Sequence, residues 1–244
     1  MKASKTIDIV GRNSVADALT SDKQFVTLYV EVASKSDPKV QEILKAAQGK
    51  NIRIEVVDSE ELDKRFETNT QGVVLVVGAG ETITLKQILD KKRDPLILMF
   101  NHLDYEQNLG AILRTAWGTS VDAVIVNPSG IHEVTPVVSK VSMGGAAFVP
   151  LISMSLFQAT DQLKDAAVEI VGVEVEQGSA YYQKDLTRGI ALLFGGEAVG
   201  LSEPLSRRCD SFINIPMLGT LASLNVSVAT AIILFDRLRQ KTLD

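Results

Sequence analysis

An α/β fold is predicted for this chain of 244 residues, from three features of its sequence. Pro95 to Phe100, Ala123 to Val126 and Ile190 to Phe194 are unbroken apolar runs, the pattern of strands buried on both faces of a parallel sheet. Stretches with apolar residues at helical spacing alternate with them, as in βα units. Gly78-Ala79-Gly80-Glu81 reads as a hinge that divides the chain into two blocks near residue 80.

In the first block, Ser14 to Leu19 is a helix candidate and Val26 to Val32 a strand candidate. A helix from Pro38 to Gln48 follows, with proline at the first position, where its missing N–H costs nothing. Ile52 to Val57 and Val73 to Val77 read as strands, with a short acidic helix, Ser59 to Phe66, between them. Leu85 to Lys92 is a connecting helix. The second block opens with the strand Pro95 to Phe100. Asn108 to Trp117 then carries Leu109, Ile112, Leu113 and Ala116 on one helical face. After Ala123 to Val126 come a helix near Thr135 to Ser142 and an amphipathic helix from Leu156 to Ala166. Strands at Glu169 to Val173, Ile190 to Phe194 and Phe212 to Ile215 precede a terminal helix, Val226 to Gln240.

Composition narrows the function. A net charge of −5 and a pI near 5.2 argue against a protein that coats nucleic acid nonspecifically, though a local basic patch is compatible with both. One cysteine, Cys209, excludes an intramolecular disulfide and a cysteine zinc site. Two histidines, His102 and His132, leave little for a metal centre, while either could serve as a single catalytic base. No apolar run reaches membrane-spanning length and the N-terminus has no apolar signal core, so a cytoplasmic setting is expected.

Three segments carry chemistry. Gly195-Gly196-Glu197-Ala198-Val199-Gly200 follows a buried strand, where glycines allow backbone to approach a ligand. Its spacing is not G-x-G-x-x-G, and Glu197 would repel a pyrophosphate, so a dinucleotide site is disfavoured. Ile215 to Ala229 runs from a strand end through Pro216, Met217 and Gly219 into a helix, with Ser223, Asn225 and Ser227 at the junction. Backbone N–H groups are free to meet a ligand there, although Ser and Asn are also ordinary helix caps. Asn108 and Arg114, six residues apart, do not share a helical face. Alone, they read as a capping Asn and a solvated Arg, but the guanidinium fork is also a good clamp for phosphate or ribose.

Together these segments resemble the three motifs of the SpoU/TrmH family of RNA ribose 2′-O-methyltransferases, within the SPOUT superfamily. Asn108 to Ala116 resembles the first motif, Leu193 to Leu201 the second and Ile215 to Ala229 the third. The first block is similar to the small, ribosomal-protein-like N-terminal domain of that family, with Gly11-Arg12-Asn13-Ser14-Val15 and Thr70-Gln71-Gly72-Val73-Val74 at its start and end. The resemblance implies an RNA substrate-binding domain at 1–78, a linker at 79–93 and a methyltransferase domain at 94–244. It also implies a parallel sheet with a deep C-terminal trefoil knot, a homodimer, S-adenosyl-L-methionine as cofactor and no metal. Gly195, Gly196, Ile215, Met217 and Leu224 match cofactor-binding positions; Arg114, Asn108, Glu197 and Asn225 match catalytic ones. The layout is most similar to bacterial members that methylate a guanosine of large-subunit ribosomal RNA. Transfer RNA as substrate, or a noncatalytic RNA-binding or ribosome-assembly protein of the same fold, is the alternative. Three positions depart from the family pattern: Ala198 and Ser120 replace common glycines, and Thr70 replaces a common histidine.

Overall fold

A computed structural model describes residues 6–21, 23–66, 70–78, 83–196, 200–219 and 223–243. Its first sheet is built from β1 (Thr6–Val10), β2 (Phe25–Glu31), β3 (Arg53–Val57) and β4 (Val73–Gly78), in the order β1-β4-β2-β3. β1 was not expected. Its short Thr-Ile-Asp-Ile-Val alternation becomes a strand by pairing antiparallel with β4, a partner some 70 residues away along the chain. Against this sheet pack α1 (Arg12–Ala18), α2 (Pro38–Gly49) and α3 (Ser59–Phe66). Ile9, Val15, Leu28, Ile43 and Leu75 form part of the core under α1 and α2, while Leu62 of α3 packs with Tyr29, Val57 and Val74 in a separate cluster. Pro38 stands in the first turn of α2 as predicted, and the Asp37 carboxylate accepts the N–H groups of Lys39 (2.9 Å) and Val40 (3.3 Å). Arg12 joins the two segments singled out in this block. Its Nε donates to the Gln71 carbonyl (2.9 Å), and its Nη1 meets the Asp37 carboxylate at 2.5 Å.

The second sheet has seven strands, and every pairing in it is parallel, as the apolar runs predict. They are β5 (Leu96–Phe100), β6 (Ala123–Val126), β7 (Leu151–Ser153), β8 (Glu169–Val173), β9 (Ser179–Ala180), β10 (Ile190–Phe194) and β11 (Ser211–Asn214). Their order is β7-β6-β5-β10-β8-β11-β9. The short strands β7 and β9 carry too few residues for a periodicity to show. Leu98 and Leu192 face one core with α5 (Glu106–Gly118) and α10 (Val226–Leu243). Ile97 and Leu193 face the other, with α4 (Leu85–Lys91) and α8 (Leu156–Asp165). Five consecutive fully buried residues in β5 and again in β10 are therefore explained by helices on both faces. Of the expected hinge Gly78–Glu81, residues 79–81 lie outside the described residues. Beyond it, α4 is capped by a reciprocal Thr84–Gln87 box and buries Leu85 and Ile88 on the second sheet.

The two units meet along β1, α6 (Pro136–Ser142) and α7 (Gly145–Phe148). Trp117 stacks on Phe148 with ring centroids 4.6 Å apart, and Ser139 Oγ donates to the Asp8 carbonyl (3.1 Å). Lys23 donates to the Ala147 carbonyl and lies over the Phe148 ring. Burial raises the Asp8 carboxyl above its ordinary range and holds the Lys23 ammonium below its own. Ser120, where the resemblance leads one to expect glycine, has a φ of 57°, in the left-handed region that glycine tolerates better. Among the described residues no helix is long and apolar enough to cross a membrane.

Cys209 sits behind the sheet beside α9 (Glu203–Ser206), half-buried. Burial, with Asp210 and Glu174 nearby, pushes its thiol from an ordinary 9.0 up to about 11. Because the thiolate is the nucleophile, the folded protein at pH 8 should react with iodoacetamide about 100-fold more slowly than the unfolded chain. Equal rates in timed mass-spectrometric labelling would contradict this.

Candidate active site

Ligands of parallel α/β sheets bind at the carboxyl ends of the strands, beyond the last side chains that the sheet itself buries. Here the ends of β8, β10 and β11 open onto a cavity of about 340 Å³. Gly195 and Gly196 leave β10 into it, Ile215 and Met217 leave β11, and Leu224 precedes α10. All five residues expected to hold a cofactor thus line one pocket. The glycine loop is tight: a Cβ on Gly195 would stand 2.2 Å from the Gly200 carbonyl carbon. Gly196 and Gly200 also exchange backbone hydrogen bonds, at 3.1 and 3.0 Å. Val173, Phe194 and Val226 add apolar wall.

Asn225 and Asn108 come from opposite sides of this region and meet. Asn225 Nδ2 donates to Asn108 Oδ1 at 2.9 Å. The other end of the Asn225 amide caps α10, accepting the Ser227 N–H (2.9 Å) and hydroxyl (2.6 Å). Asn108 is not the helix cap that its position suggested. Helix α5 begins two residues earlier, at Glu106, so Asn108 lies inside the first turn and is buried. A buried amide needs partners, and the one across the fold is 117 residues away in sequence. No local signal could have indicated it.

Arg114 lies on the exposed side of α5, as the six-residue spacing predicts, and does not line the cavity. Among the described residues, no carboxylate forms an ion pair with it. Glu197 lies outside the described residues. Ser223, noted in the third segment, lines the cavity. Glu174, which sequence reading missed, lines it as well: its carboxylate accepts the Leu201 N–H at 2.6 Å and crowds Gly200, where a Cβ would come within 3.0 Å. The available signal was positional, because Glu174 is the first residue after β8, at the ligand-binding edge of the sheet. Among the described residues there is no cluster of His, Cys, Asp and Glu able to hold a metal ion.

A parallel α/β unit with a glycine-lined pocket at its carboxyl edge, joined to a smaller α/β unit, defines a two-part ligand-binding protein. The chain belongs to the SpoU rRNA methylase family, whose profile matches residues 95–235. Residues 9–82 match the profile described as RNA 2′-O ribose methyltransferase substrate binding. The 23S rRNA (guanosine-2′-O-)-methyltransferase RlmB of Haemophilus influenzae is 34% identical over 240 residues, covering 96% of this chain and 97% of that protein. The crystal structure of an RNA 2′-O ribose methyltransferase is 25% identical, with a TM-score of 0.78 over 98% of this chain and 90% of its own. The SpoU methyltransferase AviRb from Streptomyces viridochromogenes, solved in complex with AdoMet, shares the fold at 22% identity. Its TM-score is 0.78 over 98% of this chain and 92% of its own.

Proposed function

We propose that this chain methylates a ribose 2′-oxygen of RNA, in a guanosine of large-subunit ribosomal RNA, with S-adenosyl-L-methionine as methyl donor. One observation carries the reading: Gly195, Gly196, Ile215, Met217 and Leu224 converge on one cavity, whose third-motif edge is tied to the first motif by the Asn108–Asn225 hydrogen bond. The near full-length likeness to the Haemophilus influenzae guanosine enzyme supports the substrate class. The pocket suits the donor chemically. Val173, Phe194, Ile215 and Leu224 offer an apolar wall to an adenine ring, and the glycine backbone offers hydrogen-bonding groups without side chains in the way. When bound, S-adenosyl-L-methionine supplies an electrophilic methyl group. The protein's own tasks are then to align the 2′-oxygen with it, exclude water and handle the hydroxyl proton.

The catalytic domain, 94–244, carries a trefoil knot in this reading, supported by the family match over residues 95–235. Residues 1–78 form the RNA-binding domain, and 79–93 join the two. A homodimer is supported by α10, which leaves Val228, Phe235 and Leu238 exposed at 46%, 55% and 40%. A cytoplasmic setting goes with a ribosomal substrate. The test is a map of 2′-O-methylation across large-subunit RNA from cells with and without this gene. Loss at one guanosine, restored by the purified protein and labelled S-adenosyl-L-methionine, is the expected result. An unchanged map together with no transfer in vitro would sink the proposal.

A further inference from the structure

We infer that Glu174 is a cofactor-binding residue of this pocket, its carboxylate accepting from the ribose hydroxyl pair of S-adenosyl-L-methionine. The inference rests on the methyltransferase reading and names the part of the cofactor that a side chain recognises.

Among the described residues that line the cavity, Glu174 is the only charged one. Two strand exits fix its place. Val173 pairs with Phe194 in the parallel register of β8 and β10. Glu174 and Gly195 are thus the next residues on neighbouring strands, which in a sheet run about 4.8 Å apart. On the other side, the Glu174 N–H donates to the Ile213 carbonyl of β11 at 3.1 Å. The residue therefore stands between the glycine loop and the strand that leads to Ile215 and Met217.

The carboxylate is oriented by the protein itself. Its Oε1 accepts the Leu201 N–H at 2.6 Å. Gly200 leaves room for it, since a Cβ there would stand 3.0 Å from Oε2 and 3.1 Å from Oε1. Among the described residues no other donor meets the group. A carboxylate has about four acceptor sites, so one N–H leaves most of its capacity for a ligand.

Three parts of the cofactor carry donors, and the lining sorts them. The adenine ring suits the apolar wall of Val173, Phe194, Ile215 and Leu224. The amino-acid end is a zwitterion, and no described lining residue is a cation that could face its carboxylate. That end is better solvated at the mouth. The ribose between them offers two neutral donors on adjacent carbons, which suit a carboxylate held beside a glycine loop. Dinucleotide-binding sheets solve the same problem alike: glycines admit the ligand to the backbone, and an acidic side chain accepts from the ribose hydroxyl. The spacing G-x-G-x-x-G is missing here, but a glycine loop and a carboxylate at neighbouring strand exits are present.

Calorimetric titration of the full-length protein with S-adenosyl-L-homocysteine and its 2′-deoxy and 3′-deoxy analogues tests this. Wild type should bind at least one deoxy analogue about tenfold or more weakly than the parent, as expected for a lost hydrogen bond to a charged group. Glu174→Gln keeps an acceptor for the Leu201 N–H, so its melting temperature should stay within about 2 °C of wild type. It should bind the parent about tenfold more weakly, and the deoxy analogues within about threefold of the parent. A purely structural role would weaken all three ligands alike and leave their ratio unchanged. Wild type that binds both deoxy analogues as it binds the parent overturns the assignment. So does a Glu174→Gln protein that discriminates against them as wild type does. If instead removing the ligand's α-amino group weakens binding to wild type but not to Glu174→Gln, the carboxylate serves the amino-acid end and the assignment also falls. Wild-type protein that binds neither S-adenosyl-L-homocysteine nor S-adenosyl-L-methionine overturns the methyltransferase reading itself, and the assignment with it.

Discussion

Replacing Arg114 with alanine should abolish methyl transfer, lowering the single-turnover rate by about 1,000-fold or more, while S-adenosyl-L-methionine binds as in wild type. The magnitude is that expected if the guanidinium orients the phosphate beside the reacting 2′-hydroxyl, since positioning and electrostatics commonly supply several powers of ten. The selectivity follows from placement: Arg114 is exposed on α5 and does not line the cofactor cavity. Its removal should also leave stability within about 0.5 kcal/mol, as for other surface substitutions away from packed features. Arg114→Lys should recover only part of the rate, because an ammonium cannot reproduce the planar donor fork on a phosphate. One chain does not bring Arg114 to its own pocket, so in the proposed dimer it would act on the pocket of the second copy. Mixed dimers of Arg114→Ala with a cofactor-binding variant should then regain activity, because one of the two composite sites is intact. Near-normal turnover of Arg114→Ala with labelled cofactor and RNA would remove Arg114 from the chemistry.

Sequence and structure agree best where one physical rule decides the outcome. β5 and β10 were legible because a strand covered on both faces must be apolar throughout. The start of α2 was legible because Pro38 suits the first turn of a helix. The five pocket residues were legible through glycine spacing and a strand-to-helix junction, read with the family likeness. Strand order was not, because parallel neighbours such as β8 and β11 are brought together by connections of dozens of residues. The same holds for β1, which needs β4, and for Asn108, whose local context suggests a cap while its partner lies in the third motif. Glu174 escaped because nothing in its neighbours marks a carboxylate as functional until the edge of the sheet is known.

Asn225→Ala should damage both the fold and the pocket, since one side chain serves both. Removing the amide takes away the α10 cap, an effect of about 1 kcal/mol in helices generally. It also removes the 2.9 Å hydrogen bond to Asn108 Oδ1, adding about 1 kcal/mol. A protein of this size should lose about 4 °C or more in melting temperature. The pocket wall at Leu224 adjoins the cap, so cofactor affinity should fall by about tenfold or more, the equivalent of 1.4 kcal/mol. Asn225→Asp separates the two roles. Its carboxylate can still accept from Ser227 and hold the helix, but it cannot donate to Asn108 Oδ1. That variant should keep most of the stability and still lose affinity and rate. If affinity depends on the Asn108–Asn225 link, a double-mutant cycle with Asn108→Ala should give a coupling energy clearly different from zero. Additive losses, or an Asn225→Ala protein with unchanged affinity and rate, would show that the hydrogen bond does not join the first motif to the pocket.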